Sequence, residues 1–312
     1  MVGQSEARGR EAIPQNRVVD TSRRALVLGS GGLTGLAWQV GVLDGLADGG
    51  LAWNADLLVG TSAGALLAAR LAAGEAIRDV ADALGADRTF RSNPGESARQ
   101  PGGGGAVSGA VPVSAAIRLV AAQLHPHRRQ AVVGLGRRAA AEWTPEASGR
   151  WVDAVAGDLA GRGWPAPLVV VVTDAAIGRP VLFRARRPVD LALAVAASCA
   201  MPGVLPAVRI GGRLYFDGGL RSPANLDAAG AADVVVALAP LTGALRAHRR
   251  PGVQAARLRA SGATVVLLTP DAAGRRAIGL DVLAGDRVPA CVEAGRAFGR
   301  RRVADVGAAW GE

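Results

Sequence analysis

The chain contains no lysine. All 36 of its basic residues are arginine, set against 26 acidic ones, and the net charge is +10 over 312 residues. The absence excludes whole classes of chemistry. A Walker A loop places a lysine on the phosphates. Pyridoxal enzymes need a Schiff-base lysine, and penicillin-binding enzymes a Ser-x-x-Lys pair. The arginine excess comes with abundant Ala and Gly, the bias of GC-rich coding. It is weak evidence for a nucleic-acid partner, and none is expected.

Other scarcities narrow the class further. Two cysteines, Cys199 and Cys291, cannot make a disulfide framework. No Cys/His cluster has zinc spacing, so neither metal nor cofactor is implied. Aromatic residues are 4% of a chain that is 50% hydrophobic, so the core must be built from Ala, Val and Leu. The first 24 residues hold no apolar run of the secretory kind. A cytoplasmic protein follows as the expectation, with residues 1–23 a disordered leader. Two long uncharged stretches, Ala25 to Leu43 and Leu191 to Val208, resemble membrane spans in composition only. Glycines break the first and Pro202 and Pro206 the second. Both read as buried elements of a soluble fold.

What is present is a strand–helix alternation. Apolar runs at 24–28, 56–59, 168–172, 180–183, 213–216, 233–238 and 263–268 read as strands. Helical patterns cover 36–47 and 63–73, and several helical pieces fall within 112–162, one starting at Thr144-Pro145-Glu146. The Val-rich run from Leu168 is apolar at every position, as for a strand buried on both faces. The pattern predicts one α/β domain over 24–312, a three-layer α/β/α sandwich with a mostly parallel central sheet. Residues 92–109, rich in Gly and Pro, read as a flexible loop, either a lid or a plain surface insertion.

Three motifs can carry chemistry. Gly60-Thr61-Ser62-Ala63-Gly64 lies between a strand and a helix, where Gly-x-Ser-x-Gly forms a nucleophile elbow. Small neighbours let a substrate reach the serine, and the helix start favours developing negative charge. Gly29-Ser30-Gly31-Gly32-Leu33-Thr34-Gly35 follows the first strand. Its backbone N–H groups can cradle a phosphate or form an oxyanion hole. The dinucleotide fingerprint is out of register there, because its third glycine falls on Thr34. Asp217-Gly218-Gly219 ends another strand; alone it reads as a turn. A Ser–His–Asp triad is the rival arrangement. Of the three histidines, His125, His127 and His248, the last has the chain order of an α/β-hydrolase.

Taken together, these blocks and Ala197 to Gly203 resemble patatin-like phospholipases, in the family's order and over residues 25 to about 270. Thr173-Asp174 with Gly178-Arg179 is similar to that family's central strand and hairpin. The resemblance implies a Ser–Asp dyad without histidine. Ser62 matches the nucleophile, Asp217 the base, and Gly31 and Gly32 the oxyanion-hole glycines. Gly29, Ser30, Gly35, Gly60, Gly64, Gly218 and Gly219 complete the motifs. The implied substrate is a lipid ester. Thr34 stands where the family usually has Arg or Lys, which turns the expectation toward a neutral ester or a lysolipid. Acyl transfer by the same dyad, or lipid binding without turnover, are the alternatives. Cys199 reads as a packed thiol and Asp174 as a loop-ordering residue. Arginine clusters at 184–187, 246–250 and 300–302 read as solvated surface, and would attract an anionic membrane if they shared a face.

Overall fold

A computed structural model describes residues 23–86, 113–186 and 189–311. The expected leader, apart from Arg23, and the expected flexible loop at 92–109 lie outside the described residues. The strands are β1 (Arg24–Leu28), β2 (Leu57–Thr61), β3 (Leu168–Asp174), β4 (Arg179–Arg184), β5 (Val208–Ile210), β6 (Arg213–Asp217), β7 (Val234–Leu238) and β8 (Thr264–Leu268). Between β1 and β3 come α1 (Gly32–Ala47), α2 (Ala63–Ala72), α3 (Ile77–Ala86), α4 (Val113–Leu124), α5 (Arg128–Glu142) and α6 (Pro145–Ala156). α7 (Leu191–Ser198) follows β4, and α8 (Pro251–Ala260) follows β7. The chain then ends with α9 (Ala272–Ile278), α10 (Val288–Arg300) and α11 (Val303–Trp310).

The strands form one sheet in the order β5-β6-β3-β2-β1-β7-β8, with β4 also on β3. β3, β2, β1, β7 and β8 run parallel; β4, β5 and β6 pair antiparallel. Chain order proceeds outward from β1 in both directions, so the end of β1 is a switch point of the kind where open α/β sheets place their sites. Alternate residues face opposite sides. Leu26, Leu28, Leu58, Val170 and Val172 pack with α1, α2 and α7. Ala25, Val27, Val59, Val169 and Val171 pack with α8 and the turn after Pro223. Helices therefore cover both faces, and the fold is the expected mixed α/β sandwich. Every residue of β3 is buried, as its continuous apolar run predicts.

β3 decides where the site forms. β4 takes one of its edges from Val169 to Asp174. On the other edge β2 pairs up to Thr61 opposite Val171, and there it stops. β6 takes over antiparallel, with Asp217 opposite Val172. The ends of β2 and β6 thus meet head to head along one edge.

The long uncharged stretch from Ala25 is explained by α1, which is buried from Leu33 to Leu46. A helix apolar on all sides belongs inside a protein or a membrane. Here α10 lies directly against it. A Cβ on Gly41 or Gly45 would strike the backbone of Val292 or Arg296, and one on Gly295 or Gly299 the backbone of Trp38 or Val42. Reciprocal glycines let the two backbones touch. Asp44, buried in this contact, accepts from Arg296 Nε at 2.6 Å. Among the described residues, no helix is long and apolar enough to cross a membrane.

The boundaries differ from expectation in one instructive way. α1 begins at Gly32, not Leu36. Gly35 in the added turn carries a helical cost of about 1 kcal/mol, and the tertiary contacts of α1 outweigh it. α3 and β5 were not legible in the sequence pattern, β5 because three residues carry no period. Thr144 caps α6 as expected, accepting from Ala147 N at 3.2 Å.

Candidate active site

Ser62 sits at the turn between β2 and α2 with φ 55° and ψ −128°. That region is nearly closed to residues with a side chain, and costs about 1–3 kcal/mol. The surroundings hold it there. A Cβ on Gly64 would run into the Leu28 carbonyl and stand 2.7 Å from Gly29 O. The elbow therefore packs against the glycine loop with no room for any other residue. The Ser62 N–H donates to Ser198 Oγ at 2.8 Å, and Ser198 Oγ donates to Val171 O at 2.7 Å. The side chain is almost enclosed, at 7% exposure, with the N-terminus of α2 behind it.

Asp217, at the end of β6, is 5% exposed. Its carboxylate accepts the Gly219 N–H at 2.7 Å, and the Ser62 side chain interacts with it. Burial raises its pKa to about 6, against the lowering effect of the Gly219 N–H and Ser62. Desolvation of the charged form is the cause. The backbone on either side is fixed: Asp217 N donates to Ala200 O at 3.0 Å and Thr173 Oγ1 donates to Asp217 O at 3.0 Å. Asn225, fully buried with φ 50°, donates from Nδ2 to Thr61 Oγ1, Gly218 O and Ser222 O at 2.9–3.2 Å. It ties the residue before Ser62 to the residue after Asp217.

The glycine loop lies beside this pair. Gly29 N donates to Leu238 O and Ser30 N to Pro223 O. The N–H groups of Gly31 and Gly32, ahead of the first turn of α1, donate to nothing among the described residues. Gly32 has φ +58°, and a Cβ there would clash with Val282. Gly35 closes the first turn on Gly31 O at 2.9 Å. The Ser30 hydroxyl is buried and without a partner among the described residues. It stands 2.7 Å from where a Cβ on Gly219 would be, with Asp217 Oδ1 at 3.0 Å. Loop, elbow and Asp-Gly-Gly turn are thus one cluster. Such free N–H groups at a helix start suit a developing oxyanion.

The family model for patatin-like phospholipase matches residues 26–229. The chain belongs to the patatin-like phospholipase family. Among solved structures, it is similar to VipD from Legionella pneumophila, with 14% identity, a TM-score of 0.42, and coverage of 91% of this chain and 67% of that one. It is also similar to the type III effector protein ExoU, with 18% identity, a TM-score of 0.38, and coverage of 91% and 53%. The chain therefore spans about half the length of the ExoU chain. Among curated proteins none matches.

This patatin-like chain brings the predicted residues Ser62, Asp217, Gly31 and Gly32 to one place, and leaves others outside it. His125, His127 and His248 are exposed, and no histidine is among the groups that shift Asp217. Asp174 orders a loop, accepting from Ala176 N and Ile177 N, and pairs with Arg213 at 2.6 Å. Burial and the nearby Asp217 charge push the Cys199 thiol well above its ordinary range. Thr34 is fully buried, its N–H on Val282 O. The arginine clusters differ from one another. Arg300, Arg301 and Arg302 each pair with a carboxylate, of Asp48, Asp271 and Asp305. The 246–250 cluster lines a cavity next to Gly219. Sequence reasoning missed Ser198 and Asn225 as site residues. Their only signal was the small-residue block around Ser198.

Proposed function

We propose that this chain is a serine acyl hydrolase of lipid esters, with Ser62 as nucleophile and Asp217 as its base. The observation that carries the reading is the Ser62 side chain set beside a buried carboxylate, which it helps to stabilise and whose pKa burial raises to about 6. A carboxylate so placed is ionised at neutral pH yet basic enough to take a proton in a transition state.

The steps follow from the geometry. Ser62 Oγ attacks the acyl carbon while its proton passes to Asp217. The carbonyl oxygen becomes an oxyanion, which the N–H groups of Gly31 and Gly32 receive. The Ser62 N–H is spent on Ser198 Oγ, so the loop has to supply these donors. Collapse breaks the bond to the alcohol, which leaves with the proton held by Asp217. Water then gives a proton to Asp217 and attacks the acyl-enzyme; collapse breaks the bond to Ser62 Oγ, which takes that proton back from Asp217 as the fatty acid leaves. Removing an oxyanion donor costs about 10²–10³ in kcat. The net charge of +10 supports peripheral contact with an anionic lipid surface.

A fluorophosphonate probe tests the nucleophile. Wild type should label and Ser62→Ala should not. Turnover of a chromogenic ester should fall to background in Ser62→Ala and Asp217→Asn. Undiminished activity in either variant would remove the dyad. Loss of activity in His248→Ala with the fold intact would favour a triad.

A further inference from the structure

Beyond the Asp217–Gly219 turn the protein opens into a cavity of about 680 Å³. Gly219 belongs to both, since it lines the cavity and donates to Asp217. The volume is that of a small-molecule site. Its walls come from residues 219–223 and 242–250 and include Arg221, Arg246, Arg249 and Arg250. No acidic and no aromatic side chain lines it among the described residues.

The arginines are held in place. Arg221 forks onto the Asp227 carboxylate and donates to Asn225 Oδ1 at 2.8 Å. Through Asn225 it is joined to Thr61, the neighbour of Ser62. Arg249 donates from Nη1 to Arg221 O at 3.1 Å and from Nε to His248 Nε2 at 3.2 Å. Arg250 Nε donates to Ala244 O at 3.0 Å, and Arg246 Nη2 to His125 O at 3.3 Å. Arg249 and Arg250 make no ion pair among the described residues. Burial and the positive charges of Arg246 and Arg221 lower the Arg249 pKa, against the raising effect of the Asp227 carboxylate. Arg221 is neutralised by Asp227, while Arg249 and Arg250 donate to neutral acceptors, so their positive charge is gathered at short range in an arrangement an incoming anion relieves. The guanidinium fork matches phosphate oxygens two at a time.

We infer that this cavity is a head-group site selecting a lipid ester whose head group is a net-anionic phosphate, and rejecting one that carries a quaternary ammonium. The second half follows from the lining. A choline needs a carboxylate or an aromatic face, and the described walls offer arginine, aliphatic and backbone groups and the Thr242 hydroxyl, but neither of those. The inference rests on the hydrolase reading of Ser62 and Asp217. It also changes the meaning of Thr34. The cation missing from the glycine loop is supplied instead by Arg221 and the 246–250 segment, beyond the Asp217–Gly219 turn.

The test uses the full chain. Fatty-acid release from lysophosphatidate should exceed that from lysophosphatidylcholine of the same acyl chain by about tenfold or more in kcat/KM, the scale of one charge-assisted hydrogen bond. In Arg249→Gln/Arg250→Gln that ratio should fall to about one, and Arg250→Lys should keep most of it. A wild-type ratio near one, or a ratio unmoved in the double variant, overturns the assignment. Binding is read separately on Ser62→Ala by calorimetry, so it does not depend on turnover. Glycerol 3-phosphate should bind saturably, and less tightly in the triple variant with both glutamines. Equal affinity for inorganic phosphate would make this a phosphate site and overturn the head-group role. Glycerol 3-phosphate binding without turnover of either lipid would sink the hydrolase reading and spare the site. Turnover without preference or binding would do the reverse.

Discussion

The backbone N–H of Ser62 donates to the hydroxyl of Ser198 at 2.8 Å, and that hydroxyl donates onward to Val171 O at 2.7 Å. One buried oxygen therefore pins the strained turn to the central strand. Ser198→Ala leaves a buried N–H and a buried carbonyl without their partner. Each such loss costs about 1–3 kcal/mol. Ser198 touches no reacting atom, so its effect is on position. Denaturant unfolding should show a loss of about 2 kcal/mol. Ester kinetics should show kcat down about tenfold at a KM close to wild type. Unchanged kcat would mean that Ser62 keeps its geometry without this anchor.

Ser62 itself stores strain. At φ 55° and ψ −128° a Cβ is unwelcome, and glycine is at ease. Ser62→Ala and Ser62→Gly should both be inactive. They should differ in stability, with the glycine variant ahead by about 1 kcal/mol. Thermal melts of the two at one pH read this directly. If alanine were the more stable, the elbow would not be strained.

Asp217 gives the pH dependence. It must be ionised to accept the proton from Ser62, and its pKa is raised to about 6. The kcat/KM of the free enzyme should rise with unit slope through pH 6 and level off above pH 7. The stability effect has the opposite sense. A carboxyl whose folded pKa lies above its unfolded value of 3.8 favours the fold while protonated. That contribution is complete below pH 3.8 and is lost as pH rises through about 6. Asp217→Asn should therefore abolish activity and yet raise stability above pH 7, by a few kcal/mol in order of magnitude. Unfolding curves of both proteins at pH 4.5 and pH 8 check it. The gain should shrink at the lower pH.

How much of this was legible beforehand depends on sequence distance. The elbow, the glycine loop and the Asp-Gly-Gly turn are each a handful of contiguous residues whose shape is set locally, by small side chains between a strand and a helix. The parallel core was legible too, because β3 is apolar at every position. What the pattern could not carry is pairing. That β2 ends opposite Val171 and β6 takes over opposite Val172 is a matter of register. It is this register that brings Ser62 to Asp217. Ser198 acts across 136 residues and Asn225 across 164, where one serine or asparagine resembles any other. Thr34 shows the converse. Its position in a motif suggested a place at the substrate, while the turn of α1 carries it into the core.

Asn225 draws the last prediction from the same kind of long-range contact. Its Nδ2 group serves Thr61 Oγ1, Gly218 O and Ser222 O, and its Oδ1 accepts from Arg221. Its backbone is left-handed at φ 50°, a conformation asparagine tolerates better than alanine. Asn225→Ala should lose both advantages, about 2–4 kcal/mol together. Asn225→Gly removes the backbone penalty alone, and should recover about 1 kcal/mol of stability with no recovery of activity. That split distinguishes a residue that joins the ends of β2 and β6 from one that merely fills a turn. If glycine restores turnover along with stability, the side-chain bridge between Thr61 and Gly218 has no part in holding Ser62 against Asp217.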